Sequence, residues 1–178
     1  MRIKHQYRIV LLGEGAVGKT AIRQRFVGKG FQAEYIKTVG ADFSKKVINV
    51  KDTEVEYIIW DPAGHLEFKG RSGLFYSGCT GAILVFDLTN LDTLFKLDNW
   101  INEAIEISNA SIKTWFLVGN KCDLERKVEY KQVLNFAQAS LNKISPNLYY
   151  LETSAKTGKN IDKLFNDLGQ ILLGKNLN

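Results

Sequence analysis

The stretch Gly13-Glu14-Gly15-Ala16-Val17-Gly18-Lys19-Thr20 constrains this chain more than any other, because it fits G-x-x-x-x-G-K-[ST] and lies between a strand signal and a helix signal. The apolar run of residues 7–12 reads as a buried strand feeding into it, and residues 19–26 read as a helix. Strand, glycine loop and helix start together make a phosphate cradle. The glycines let backbone N–H groups converge on oxyanions, and the helix dipole adds positive potential. In that frame Lys19 reaches the β- and γ-phosphates while the Thr20 hydroxyl holds Mg²⁺. A glycine-rich turn with a surface lysine is the bland alternative. With glycine near about 7% of residues, an accidental match arises in roughly one chain per hundred of this length.

The rest of the chain continues the alternation of strand and helix. Strand candidates are residues 7–12, 42–50, 54–60, 82–87, 115–119 and 148–151. The second and third, joined by Lys51-Asp52-Thr53, read as a hairpin that supplies one antiparallel edge strand. Helical spacing is clear in Leu94, Leu97, Ile101, Ala104 and Ile105, and again in Ile161, Leu164, Phe165, Leu168 and Ile171. The expected fold is α/β: a doubly wound, mostly parallel six-stranded sheet with helices on both faces. A length of 178 residues, 45% hydrophobic content and only two prolines fit one domain over residues 1–178, with no linker or repeat.

Three further clusters sit at strand ends, where ligands bind in such sheets. Asn120-Lys121-Cys122-Asp123 follows the fifth strand, and a carboxylate there can accept two parallel hydrogen bonds from guanine, which adenine cannot offer. Thr153-Ser154-Ala155-Lys156 follows the last strand; the Ala155 N–H suits the guanine carbonyl, and Ser154 can steady Asp123. Asp61-Pro62-Ala63-Gly64 ends the third strand, with Asp61 placed to hold Mg²⁺ through water and the Gly64 N–H open to a γ-phosphate. Upstream, Thr38 can complete the metal shell, and Phe31 in the same loop can lie against the base.

These residues, in this order, resemble the small Ras-like GTPases, and most closely the Rab branch, from about residue 7 to 173. The Rab leaning rests on Val39-Gly40-Ala41-Asp42-Phe43, Ile59-Trp60 and Phe75-Tyr76-Ser77-Gly78. The resemblance implies a GTP/GDP switch with Mg²⁺ as cofactor, whose loops rearrange on hydrolysis. It places Gly13, Glu14, Gly15, Ala16, Val17, Gly18, Lys19, Thr20 and Ala21 around the phosphates. Phe31, Tyr35, Thr38 and Gly64 belong to the loops that close over the nucleotide. The base falls to Asn120, Lys121, Asp123 and Leu124 from one loop and to Ser154, Ala155 and Lys156 from the other. Thr20, Thr38 and Asp61 form the metal set; Lys19, Gly64 and His65 are the residues implied in hydrolysis.

His65 stands where the family carries the glutamine that orients the attacking water, so two functions remain open: a switch that hydrolyses GTP slowly, or a GTP-bound adaptor that does not. A phosphate-loop ATPase or small-molecule kinase is a third, against which Asp123 argues. Phe43, Trp60 and Phe75 match a triad that Rab proteins present to effectors, with a core role as the alternative. Exchange factors and activating proteins complete the implied partners. The formal net charge of +5 comes from scattered cations rather than a stripe, which argues against nucleic acid. Two cysteines without metal or disulfide spacing, no apolar signal core and no C-terminal cysteine give the expectation of a cytoplasmic protein without its own lipid anchor, open to recruitment to membranes by a partner or by its modest positive charge.

Overall fold

A computed structural model of the chain describes residues 4–28, 34–38, 41–62, 72–108, 111–144 and 148–177. Seven strands, β1 (Lys4–Leu12), β2 (Glu34–Thr38), β3 (Ala41–Val50), β4 (Thr53–Asp61), β5 (Cys79–Asp87), β6 (Thr114–Asn120) and β7 (Leu148–Glu152), form one sheet ordered β2-β3-β4-β1-β5-β6-β7. From β4 to β7 every neighbour is parallel, and β3 runs antiparallel to β4. The six expected strands and the antiparallel β3 are therefore present. Outside β3 lies one more, the short β2, which the sequence reading took as loop. Tyr35, Ile36 and Thr38 suit a strand, but the segment is only five residues long and broken by charges at Glu34 and Lys37; the open edge of β3 supplies the hydrogen bonds that extend it.

Strand periodicity of two sorts the core into two layers. Val10, Leu12, Ala82, Leu84, Phe86, Trp115 and Leu117 face one side, where α3 (Leu91–Phe95), α4 (Leu97–Ser108) and α5 (Tyr130–Leu141) cover them. Ile9, Leu11, Ile83, Val85, Phe116 and Val118 face the other, under α1 (Lys19–Val27) and α6 (Ile161–Leu172). The short α2 (Ser72–Tyr76) precedes β5. Each fully buried aliphatic side chain contributes about 1.5–3 kcal/mol, so the parallel core holds the strand ends rigidly. Those ends carry the loops of the site.

The helical spacing seen from Leu94 to Ile105 is interrupted at Lys96. Its N–H bonds back to Asp92 O, and its carbonyl accepts from Asn99 in a tighter three-residue turn. Leu94, Leu97, Ile101 and Ala104 nevertheless stay on one buried face. The helix α5 has no clear period in the sequence. Apolar residues occupy both of its faces, with Val133 and Phe136 buried but Tyr130 and Leu134 about half exposed, and this blurs the period.

Candidate functional site

Among the described residues, the clusters read as phosphate, metal and base sites fall at the C-terminal ends of β1, β4, β6 and β7, with Thr38 at the end of β2. At the end of β1 the chain turns through Gly13 with φ +140°, where an added Cβ would lie 2.2 Å from the Val85 carbonyl oxygen. Gly18 enters α1 with φ +104°, and its added Cβ would meet the Asn120 amide nitrogen at 2.2 Å. Neither position accepts a side chain. No side-chain hydrogen bond caps α1 at Gly18, and the first-turn N–H groups of any α-helix have no intrahelical acceptor, so this helix start has the chemistry that suits an anion.

Lys19 is buried and folds back over the loop, donating to the carbonyls of Gly13 at 2.6 Å and Glu14 at 2.7 Å. Burial lowers its pKa, against the opposing pull of Asp61 and Glu14. The Glu14 carboxylate is anchored to α4: Trp100 Nε1 donates to it at 3.1 Å and the Lys96 ammonium lies 3.4 Å away. Trp100 thus ties the loop of residues 13–20 to a helix.

On the β4 side the Thr20 hydroxyl donates to Asp61 Oδ2 at 2.6 Å. Among the described residues no group of three or more His, Cys, Asp or Glu could hold a metal. A hydroxyl beside one carboxylate is nonetheless a donor set that fits Mg²⁺, which takes hard oxygens from one or two side chains and the remainder from phosphates and water. Thr38 ends β2 and Tyr35 lies within it, opposite Ala41 and Ser44 in β3, but their side chains are outside the described structure. Phe31, Gly64 and His65 lie outside the described residues. Arg23, which no motif marked, is buried on α1 with Asp61 and Ser44 as partners. Its signal in the sequence is a charge beside Ile22 and three residues before Phe26, on the apolar face of the helix.

At the base end, the buried Asn120 side chain ties three loops together. Its Nδ2 donates to Val17 O at 2.9 Å, while its Oδ1 accepts from the Thr153 hydroxyl at 3.1 Å and from the Ala155 N–H at 3.2 Å. Asn120 therefore spends its amide on the phosphate loop and the last loop. Ser154, fully buried, donates to Asp123 Oδ1 at 2.6 Å, and this hydrogen bond, with Lys156 and Lys121 nearby, holds the carboxyl below the usual carboxylate range. Lys121 adopts φ +67° and places its ammonium 2.6 Å from Asp87 Oδ2. Burial pushes Asp87 up, but hydrogen bonds from Lys121 and Thr89 outweigh it and lower its pKa. Leu124 is half exposed beyond Asp123, and Lys156 is exposed. Asp87 carries no signal in the sequence, and Thr153 is legible only as the head of its cluster; the fold gives them their roles by setting Asp87 beside Lys121 and Thr153 beside Asn120.

Phe43, Trp60 and Phe75 form one aromatic cluster, with ring centroids 4.9 Å and 6.0 Å apart along the series. Phe43 and Trp60 are half-buried and Phe75 is buried. Cys79 is buried, its thiol pushed up to about 12 by desolvation, and Cys122 is half-buried; both are free. Among the described residues no helix is long and apolar enough to cross a membrane.

A glycine loop opening a helix at the C-terminal edge of a doubly wound sheet defines the phosphate-loop class of α/β domain. Within that class the chain belongs to the Ras family, whose family model matches residues 8–173. Similar proteins include Ras-related protein Rab-13 of Canis lupus familiaris, 34% identical over 96% of this chain and 82% of the relative. Ras-related protein Rab-2B of Dictyostelium discoideum is 32% identical over 97% of this chain and 83% of its own. Family membership makes the chain a Rab-like, GTP-binding small GTPase, of the kind that works as a switch with effector, exchange and activating proteins.

Proposed function

We propose that this chain, as a single domain over residues 1–178, binds GTP and GDP with Mg²⁺ and hydrolyses GTP to GDP and phosphate by attack of water on the γ-phosphorus. The observation that carries the base choice is the hydrogen bond from Ser154 to Asp123, which keeps an ionised carboxylate fixed at the edge of the sheet. Asp123 accepts two guanine N–H groups, and the aliphatic stem of Lys121 lies along the base while Asp87 holds its ammonium. Asn120 acts by positioning, and Ala155, Ser154, Leu124, Lys156 and Phe31 complete the base site. Backbone N–H groups from Gly13 to Ala21 and the Lys19 ammonium hold the phosphates. Thr20, Asp61 and Thr38 hold the metal, which when bound neutralises charge on the β- and γ-phosphate oxygens. His65 orients the water through a neutral imidazole nitrogen, and Gly64, Thr38 and Tyr35 respond to the γ-phosphate. In the GTP state Phe43, Trp60 and Phe75 present the effector surface.

Competition against a fluorescent GDP tests the base assignment. GTP and GDP are expected to displace it far better than ATP. The Asp123→Ala variant should lose guanine affinity by at least about a hundredfold, since hydrogen bonds to a charged group are worth roughly 1.5–3 kcal/mol each. Equal affinity of the native protein for ATP would overturn the assignment. Single-turnover cleavage of GTP by native and His65→Ala proteins then reads hydrolysis itself.

A further inference from the structure

Arg23 is one of the largest side chains in the protein to be fully buried, at 1% exposure, and Asp61 beside it is equally enclosed. A charge withdrawn from water is retained only where a counter-charge and hydrogen bonds replace its hydration. Both are supplied. Arg23 Nε lies 3.4 Å from Asp61 Oδ2, and Nη1 donates to Ser44 Oγ on β3 at 2.6 Å. The carboxylate oxygen that meets the guanidinium is the one that accepts the Thr20 hydroxyl. An arginine side chain keeps its charge at any pH a protein tolerates, so Asp61 is permanently partnered from within.

We propose that Arg23 is an internal counter-ion to Asp61 that makes nucleotide retention in this protein depend little on Mg²⁺. The proposal rests on the reading above, in which Asp61 and Thr20 face the metal. Two consequences of one pair act together. Arg23 opposes a divalent cation at a carboxylate it has already neutralised, so the metal is held less tightly. It also cancels the repulsion that a bare Asp61 exerts on the phosphates, so the nucleotide is held better when the metal is gone. A unit charge acting on a divalent ion over several ångströms, at an effective dielectric near 20, changes affinity by at least about tenfold. Arg23 is thus a positioning residue with an electrostatic task, and Ser44 fixes its direction.

The readout is the release rate of fluorescent GDP in excess EDTA divided by the rate in millimolar Mg²⁺, for native, Arg23→Met and Arg23→Lys proteins. The native ratio is expected to stay below about tenfold. Arg23→Met, similar in length but neutral, should raise it at least about tenfold over native, and Arg23→Lys should remain near native because the charge is kept. If Arg23→Met changes both rates by one common factor, Arg23 only packs α1 against β3 and the proposal fails. It fails also if Arg23→Lys behaves like Arg23→Met. Should Arg23→Met not fold, the native ratio decides: below about tenfold supports the counter-ion, and tenfold or more overturns it. A native protein that binds no GDP at all would instead remove the nucleotide reading, and this inference with it.

Discussion

Asn120 ends β6 and Asp123 lies three residues further on, yet the structure gives them opposite physical characters. Asn120 is buried and bonded to Val17, Thr153 and Ala155, whereas Asp123 reaches outward and is held by Ser154 alone among the side chains that hydrogen-bond to it in the described structure. Truncating a buried partner leaves its donors and acceptors unsatisfied, at about 1–3 kcal/mol each, while an exposed truncation moves stability by about 0.5 kcal/mol or less. Asn120→Ala is therefore expected to destabilise the fold by about 2–4 kcal/mol and to weaken GTP and GDP binding alike. Asp123→Ala should weaken guanine binding and, because it costs only the Ser154 hydroxyl its acceptor, lower the unfolding midpoint less than Asn120→Ala does. Urea denaturation of both variants checks this; equal midpoints would mean that the Asn120 bonds do not stitch the loops. Both residues were legible as a cluster from their place after an apolar strand. Which one stitches and which one points outward was not, because that depends on Val17 and Thr153 arriving from distant parts of the chain.

The contact between α6 and the hairpin β3–β4 depends on one missing side chain at the scale of elements. A Cβ on Gly169 would come within 2.5 Å of the Tyr57 hydroxyl and 2.7 Å of Val50 Cγ2. Tyr57 cannot give way cheaply, because its ring is buried and its hydroxyl donates to Phe165 O at 2.7 Å. Two effects compete in Gly169→Ala. Helix propensity favours alanine by about 1 kcal/mol. Overpacking a tight core position costs typically about 1–3 kcal/mol, and here both neighbours are stiff. The variant is expected to lose stability, by about 1–2 kcal/mol net, read from its urea midpoint. A more stable Gly169→Ala protein would show that α6 slides along the sheet at little cost. The apolar spacing of α6 announced the helix, since Ile161, Leu164, Phe165 and Leu168 are all buried. Its spacing could not announce the close approach at Gly169, and α5 was hidden by its two-sided apolar pattern.

For the molecule as a whole, acid stability reports the electrostatic link between β5 and the base loop. Asp87 titrates below its unfolded value because Lys121 and Thr89 hydrogen-bond its charged form more than burial opposes it. A carboxylate with a depressed native pKa contributes its full stability above the unfolded pKa of about 3.9, and loses it as pH falls through the native value. Thermal unfolding from pH 2 to 7 should show the native protein losing stability below about pH 4, with Asp87→Asn starting lower and falling less steeply. Parallel curves for the two proteins would remove Asp87 from the acid transition.

Six of the seven strands, the helices α1, α4 and α6, the phosphate loop and the clusters after β6 and β7 were legible in the sequence alone, because each rests on local chemistry: apolar period, glycine conformations and polar residues just beyond apolar runs. Tertiary structure alone decided what those residues do to one another. β2 becomes a strand only against the edge of β3, Trp100 reaches Glu14 across 86 residues, and Arg23 finds Asp61 only when α1 packs beside β4. Pairings of this kind have no local signal. They form because burial withdraws each polar group from water, and the group that replaces the lost hydration comes from whichever part of the chain the core brings next to it.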